Sequence, residues 1–176
     1  MADVIFGDVN PGGRLVQTWP DSIEQLPPMM DYNIRNGRTY MYFKGKPLYP
    51  FGFGLSYTSF AYSNLKLSRE NFPADGELTV SVDITNTGGR DGDEVLQLYV
   101  KHLDSKFTRP LKELKAFRRI TLKAGEMKTV SLSLKSADLA YWNVKAEKFV
   151  VEKDKIQLQL GCSSTDIKIE KAVDVK

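Results

Sequence analysis

Residues 78–85 read Leu-Thr-Val-Ser-Val-Asp-Ile-Thr, so apolar and polar side chains alternate along the whole stretch. Successive side chains of a β-strand point to opposite faces of its sheet, and this alternation therefore predicts a strand with one buried face. The next four residues, Asn-Thr-Gly-Gly at 86–89, have the composition of a turn. The stretch predicts a strand followed by a turn, which is typical of an antiparallel sheet.

The same alternation recurs along the rest of the chain. It is found at residues 96–100, 130–134, 156–160 and 167–169. Weaker apolar patterns predict further strands at residues 60–67, 114–122 and 149–151. The apolar parity shifts between Leu114 and Phe117, which predicts a β-bulge in that strand. About seven short strands without a long helical period predict an all-β fold, a two-sheet antiparallel sandwich.

Helix signals are brief. A short turn capped by Ser136 is predicted before residues 137–139, and the apolar start of the chain predicts another. Upstream of Phe60 the chain is dense in glycine, proline and aromatic residues, as in Tyr-Pro-Phe-Gly-Phe-Gly at 49–54. Prolines remove backbone donors and exclude helix, so this part is predicted to be irregular and extended over another surface.

The composition limits the classes of function. With 41% hydrophobic residues in 176, the chain can bury a core, and no apolar run is long enough for a membrane span. The net charge of +3 is spread among acids and hydrophobes, as at residues 112–115, so no nucleic-acid partner and no membrane partner is expected. Residues 1–8 lack the basic and apolar regions of a secretory signal.

Few residues suggest catalysis or metal binding. The chain has one cysteine, Cys162, and one histidine, His102, so neither an internal disulfide nor a structural zinc site is predicted. His102 ends a predicted strand, where we expect an exposed residue at the rim; use in a Ser-His-Asp or Cys-His site is the alternative. Residues 7–13 lack the spacing of a phosphate-binding loop and predict a Gly-Pro connection after a helix end.

Two other groups of side chains have alternative interpretations. Asp91, Asp93 and Glu94 lie beside glycines and are predicted to solubilise a turn, because their spacing does not fit a calcium loop. Four aromatic residues are predicted to pack in the core or at an interface, with stacking on sugar rings as the alternative. These four are Trp19, Tyr40, Tyr57 and Trp142.

Several motifs in order resemble family 3 glycoside hydrolases. Residues 2–15, with Asn-Pro-Gly-Gly at 10–13, resemble the end of the family's second, α/β domain. Residues 47–60, containing Tyr-Pro-Phe-Gly-Phe-Gly-Leu-Ser-Tyr at 49–57, resemble its linker into a fibronectin type III-like domain. Later stretches resemble that domain itself. They are residues 82–88, 92–100, 109–117 and 139–142.

The resemblance implies a division of the chain into two parts. Residues 1–59 would be the remnant of the α/β domain plus the linker, and residues 60–176 an immunoglobulin-like or fibronectin type III-like sandwich. The parent enzyme would be an exo-acting β-glucosidase or β-xylosidase, and residues 37–43 favour the β-xylosidase-like members. Its location would be secreted or periplasmic.

The resemblance also implies that this part of the parent is not itself an enzyme. In the family, the nucleophilic Asp lies in an N-terminal barrel and the acid/base residue upstream of the segment present here, so no catalytic, cofactor-binding or metal-binding residue is carried over. The 22 Asp and Glu residues fall mostly in predicted turns or on the polar parity of strands. We expect an accessory region that stabilises upstream catalytic domains, with an independent carbohydrate-binding or adhesion module as the alternative.

A consequence concerns residues 1–50. Their large apolar side chains would lack their native cover when upstream domains are absent, and exposed apolar patches of several hundred Å² tend to associate. We therefore expect this segment to fold back over the sandwich or to pack against another copy of the chain.

Overall fold

The computed structural model describes residues 1–176, and strands dominate it. Short helices span Ala2–Phe6 (α1) and Thr39–Tyr42 (α2), and 3₁₀ turns span Ile23–Gln25 and Ser136–Leu139. The strands are β1 Trp19–Pro20, β2 Pro47–Tyr49, β3 Phe60–Leu67, β4 Glu77–Asn86, β5 Gly92–His102, β6 Glu113–Leu122, β7 Met127–Lys135, β8 Tyr141–Asn143, β9 Lys148–Val150, β10 Lys155–Gly161 and β11 Ile167–Asp174.

Two antiparallel sheets form the body of the molecule. One sheet has four strands in the order β11-β10-β5-β6, and the other has three in the order β3-β4-β7. The pairs β1-β2 and β8-β9 are separate two-stranded ribbons. The predicted all-β, two-sheet antiparallel sandwich is therefore confirmed.

The core lies between the two sheets. The apolar parity of the first quoted stretch points inward, since Leu78, Val80, Val82 and Ile84 are all fully buried. They pack with the inward residues of β5, β7 and β10 in one hydrophobic cluster. Phe72, which the sequence pattern missed, joins this core from a loop, where its backbone pairs with the end of the chain near Val175.

The predicted bulge in β6 is present. Leu98 of β5 pairs with Ala116, but the next residue, Tyr99, pairs with Leu114, so Lys115 is the extra residue. The bulge explains why the apolar parity shifts between Leu114 and Phe117.

Two local predictions about helices were wrong. Residue 135, not Ser136, precedes the 3₁₀ turn, and its backbone N–H donates to the Asp138 carboxylate at 3.0 Å. Ser136 is inside the turn and buried. The segment before Phe60 is irregular as predicted, yet helix is not excluded there, because α2 and the turn Ile23–Gln25 each fit between two prolines. No helix has the length and apolar character needed to cross a membrane.

Strand β5 is buried on both faces, contrary to its alternating pattern. Leu96, Leu98 and Val100 face the core, but Gln97 and Tyr99 on the other face are also buried, with relative exposures of 3% and 0%. Residues 40–52 cover this outer face: the Tyr40 ring packs on Tyr99, and the Gly52 carbonyl accepts a hydrogen bond from the Gln97 amide. The face of β5 that carries Gln97 and Tyr99 is therefore a second packing surface and is not exposed to solvent.

Candidate interaction surface

Residues 1–57 present most of the exposed large hydrophobic side chains of the molecule. Phe6, Val16 and Ile23 are each more than 80% exposed, and none of the buried hydrophobic core residues comes from this part of the chain. Other exposed side chains here are Met29, Met30, Tyr32 and Leu55. Soluble monomers rarely expose this much apolar surface unless it binds something.

Part of this surface is a shallow groove beside the ribbon β1-β2. Trp19 pairs with Tyr49 across the ribbon, and the Tyr49 ring packs on Phe53 with a centroid distance of 5.2 Å. The groove has a volume of about 580 Å³. It is lined by Gly13, Arg14, Leu15, Trp19, Tyr49, Phe53, Gly54 and Leu55. Apart from Arg14, these side chains offer mainly apolar contacts to whatever covers them.

Beneath this surface, an ion pair ties the segment to the sandwich. The Arg14 guanidinium donates to the Glu94 carboxylate at 3.1 Å, and the two side chains are only 11% and 5% exposed. Glu94 also accepts the backbone N–H of Val95 at 2.8 Å. Glu94 was predicted to solubilise a turn; that prediction is wrong, because Glu94 lies within β5, is 4% exposed and pairs with the Arg14 guanidinium.

Residues 7–10 make a second set of polar contacts. Gly7 ends α1 with a left-handed φ of 84°, as expected for a connection after a helix end, and its carbonyl accepts from Arg90 at 2.9 Å. The Asn10 amide donates to the Asp91 carbonyl at 2.9 Å. Its oxygen accepts the Tyr57 backbone N–H at 2.8 Å. These bonds join the start of the segment, the linker and the start of β5.

The linker crosses the sheet where a glycine is required. Gly52 has a φ of +82°, and a Cβ atom there would lie 2.2 Å from Oε1 of Gln97. The Gln97 amide donates to the carbonyl of Cys162 at 2.5 Å, and its Oε1 accepts the Tyr99 hydroxyl at 2.5 Å. Gly54 has a similar role, because a Cβ atom there would meet the Gly13 carbonyl at 2.3 Å. The two glycines permit close packing of the linker.

Aromatic rings also hold the linker where it crosses the outer face of β5. The Tyr40 ring stacks on Phe51 at 4.4 Å and meets the edge of Tyr99 at 5.8 Å. The Tyr40 hydroxyl accepts the Leu114 backbone N–H at 2.9 Å. Burial raises the pKa of both Tyr40 and Tyr99 above their ordinary range. Of the four aromatics named from the sequence, Tyr40 thus packs internally, while Trp19, Tyr57 and Trp142 are about half exposed.

The remaining acidic residues near the start of β5 stabilise β6 and the turn between β6 and β7. Asp93 accepts hydrogen bonds from Thr121 at 2.6 Å and from Arg119, and the Thr121 bond is the main reason that the Asp93 pKa is lowered. Asp91 accepts the Ala124 backbone N–H at 2.9 Å. Asp93 therefore holds β5 to β6, and Asp91 holds the turn between β6 and β7. No group of three or more His, Cys, Asp and Glu side chains is arranged to hold a metal ion.

His102 is not at an exposed rim, so that prediction is also wrong. Its side chain is 4% exposed, and Nδ1 lies 2.6 Å from the fully buried carboxylate of Asp154. The second oxygen of Asp154 accepts the Asp104 backbone N–H at 3.0 Å. Burial lowers the pKa of His102, and the bond to Asp154 only partly offsets this effect. The pair holds the loop after β5 against the strand β10, and no nucleophile is bonded to it.

Comparison with known proteins agrees with this architecture. Residues 1–57 match the glycosyl hydrolase family 3 C-terminal domain, and residues 94–164 match the fibronectin type III-like domain. The chain belongs to glycosyl hydrolase family 3. The resemblance identified from the linker and the strand motifs is thereby confirmed.

The relatives with similar sequences are glycosidases by name. The chain is 41% identical to the periplasmic beta-glucosidase of Salmonella typhimurium over 96% of its length and 47% identical to a beta-xylosidase of Formosa agariphila over 93%. The chain spans 23% of the length of each of these relatives.

Solved structures of the family superimpose on nearly the whole chain. The GH3 beta-glucosidase of Bifidobacterium adolescentis gives a TM-score of 0.89 at 34% identity, and the match covers 99% of this chain and 27% of that one. The beta-glucosidase of Kluyveromyces marxianus, in complex with glucose, gives 0.88 at 36% identity, covering 99% and 22%. The region described here is thus one part of larger multidomain enzymes in the family.

The ion pair under the segment yields a stability prediction. Replacing Arg14 with Met should destabilise the chain by about 3–5 kcal/mol, because the Glu94 carboxylate is left buried without a partner. The matched control is Lys128→Met, which removes an exposed pair with Glu126 and should cost about 1 kcal/mol at most. Urea denaturation gives both values. In the double variant Arg14→Met with Glu94→Gln, much of the loss should be recovered; equal costs for Arg14→Met and Lys128→Met would contradict the role of the pair.

The buried histidine yields a pH prediction. Because burial lowers the folded-state pKa of His102, the unfolded chain binds a proton that the folded chain does not as pH falls through about 6.5. Wild type should therefore lose stability relative to His102→Asn between about pH 7.5 and 5.5, by at most about 1.4 kcal/mol per pH unit. Chemical denaturation at a series of pH values measures this. Wild type gaining stability relative to the variant on acidification would show that the folded pair is protonated instead.

Proposed function

We propose that the chain acts as a non-catalytic accessory region of an exo-acting β-glycosidase and stabilises the catalytic domains of that enzyme. The observation that carries the proposal is the two-sided character of residues 1–57. Their polar contacts and aromatic rings hold them against the sandwich, while side chains such as Phe6, Val16 and Ile23 remain more than 80% exposed. A segment built this way joins a sandwich to something that covers its apolar side.

The energetics favour a covered surface. Full burial of one large apolar side chain stabilises by roughly 1.5–3 kcal/mol, and this segment exposes many of them. A single folded domain is stable by only about 5–15 kcal/mol, so docking several such side chains would add substantially to the stability of both partners. We place the partner upstream in the same parent enzyme, since the chain spans 23% of its relatives' length.

The use of the acidic side chains supports a non-catalytic role. A glycosidase of the usual kind needs two carboxyl groups facing each other across the scissile bond. Here Asp93 and Glu94 accept bonds from arginines, and Asp154 accepts from His102 and a backbone N–H. Carboxylates engaged in this way stabilise the fold. We propose that the catalytic carboxylates lie in the upstream domains.

The parent's activity and location follow from the relatives as proposals. We propose hydrolysis of terminal β-glucosides or β-xylosides, since the relatives carry both names, and a periplasmic or secreted parent, since one relative is called periplasmic. We also propose the division into residues 1–59 and 60–176. The family matches to residues 1–57 and 94–164 support it.

The catalytic part of the proposal predicts an inactive chain. Purified residues 1–176 should release no more nitrophenol from aryl β-xyloside and aryl β-glucoside than buffer does, because the bond-cleaving carboxyl pair lies elsewhere. Absorbance of the released phenol is the measurement. Turnover that disappears when one carboxylate, such as Glu94 or Asp154, is changed to its amide would overturn the proposal.

The docking part predicts weak self-association of the isolated chain. The apolar side of residues 1–57 should bind a second copy when upstream domains are absent, and light scattering after size-exclusion chromatography should show a larger mass that falls on dilution. Phe6→Glu and Ile23→Glu should each shift the equilibrium to monomer, whereas Phe117→Glu, a control 67% exposed on β6, should not. A strictly monomeric wild-type chain with a protease-resistant segment would contradict this prediction.

A further inference from the structure

The ribbon β8-β9 carries a second concave surface, separate from the groove beside the ribbon β1-β2. A groove of about 580 Å³ lies between this ribbon, the loop after β5 and residue 35 of the N-terminal segment. Its lining includes Phe107, Tyr141 and Trp142, together with Arg35, Asn143 and Lys145. The Phe107 and Tyr141 rings pack on each other, whereas the Trp142 ring projects from the other face of the ribbon, as side chains alternate along a strand. The volume of the groove falls within the range of small-ligand sites, which are mostly apolar with a few placed polar groups.

The ribbon holds its exposed aromatic residues in fixed positions. Trp142 lies directly opposite Phe149, and the rings meet edge to face at 5.3 Å. The turn is closed by Asn143, whose side-chain oxygen accepts the backbone N–H groups of Lys145 at 3.0 Å and Ala146 at 3.1 Å. Trp142 and Phe149 nevertheless remain 52% and 70% exposed.

A buried ionic network supports the groove from beneath. The Arg109 guanidinium lies 4.3 Å from the Tyr141 ring centroid, and the other neighbour of that ring is Phe107, at a centroid distance of 4.4 Å. Glu152 accepts from Arg109 at 3.3 Å and from the Ser105 hydroxyl at 2.7 Å, and both charged side chains are only 9% exposed. These bonds hold the aromatic rings in place before any ligand arrives, which lowers the entropic cost of binding.

We infer that this groove binds a saccharide chain, such as a β-linked xylo- or gluco-oligosaccharide. A pyranose ring offers an apolar C–H face, which packs on the Phe107 ring, 44% exposed at the groove, and a rim of hydroxyls. Arg35 and Lys145 are both exposed at the groove and can donate hydrogen bonds to those hydroxyls. The choice of a saccharide as the ligand class rests on the proposed function.

The geometry favours a saccharide over a protein partner. A stable protein interface buries about 800 Å² on each side, whereas this groove involves one short ribbon and two loops. Cationic and aromatic residues line one concavity, a combination that suits an amphipathic ligand. The site would contact a polysaccharide substrate of the parent enzyme away from the upstream catalytic centre.

The two tryptophans make the test direct. In a Trp19→Phe background, Trp142 is the sole tryptophan and reports on the groove by its fluorescence. Titration of the full chain with xylohexaose or cellohexaose should give a saturable change with at least one of them. Calorimetry should show affinity reduced by about tenfold or more in Phe107→Ala and by a smaller factor in Arg35→Ala. Phe117→Ala, a control with an exposed ring on β6, should bind as wild type does.

Arg35→Ala keeps the test valid if Phe107→Ala fails to fold, because the Arg35 side chain is exposed and its removal leaves the ribbon intact. Absence of saturable binding to both oligosaccharides would overturn the inference, as would binding unaffected by both substitutions. Self-association abolished by Phe107→Ala, without sugar binding, would assign the groove to a protein contact and also overturn it. Glycoside turnover, which would contradict the proposed function, is measured separately and does not depend on Phe107.

Discussion

The structure depends on the burial of strand β5 from both sides. Its core face packs against the three-stranded sheet through residues such as Leu98, and its outer face lies under the linker through Gln97 and Tyr99. The linker can lie this close because Gly52 adopts a left-handed φ and has no Cβ to collide with Gln97. Close packing here orders the chain before Phe60, which has no buried hydrophobic residue of its own.

The packing of the linker on β5 determines which side chains of residues 1–57 contact the sandwich and which remain exposed. The polar groups of this segment, including Asn10 and Arg14, are directed at the sandwich, where they find partners in the Asp91 carbonyl and Glu94. Apart from the rings that pack on Tyr99, such as Tyr40, most of its large apolar side chains remain exposed. A segment that folded independently would place these side chains inward, so the reversed arrangement is the physical basis for proposing an upstream partner.

Periodicity predicted the sandwich well and its second packing layer poorly. Leu78 to Ile84 alternate because only one face of β4 is buried, and the parity shift before Phe117 correctly marked the bulge at Lys115. The same rule failed for Tyr99, because an alternating pattern cannot show that a distant segment covers the polar face. His102 and Glu94 were misassigned for this reason, since their buried partners Asp154 and Arg14 lie 52 and 80 residues away along the chain.

Hydrogen exchange of individual backbone amides tests the central claim, that the linker packs on the outer face of the four-stranded sheet. Three amides on the sandwich donate only to this segment: Leu111 to the Met41 carbonyl at 2.7 Å, Leu114 to the Tyr40 hydroxyl, and Ser164 to the Phe51 carbonyl at 2.9 Å. Their exchange should be slowed to rates near those of the core strands, and Gly52→Ala should restore fast exchange at all three. Exchange in the wild-type chain as fast as in an exposed loop would show that the linker does not lie there.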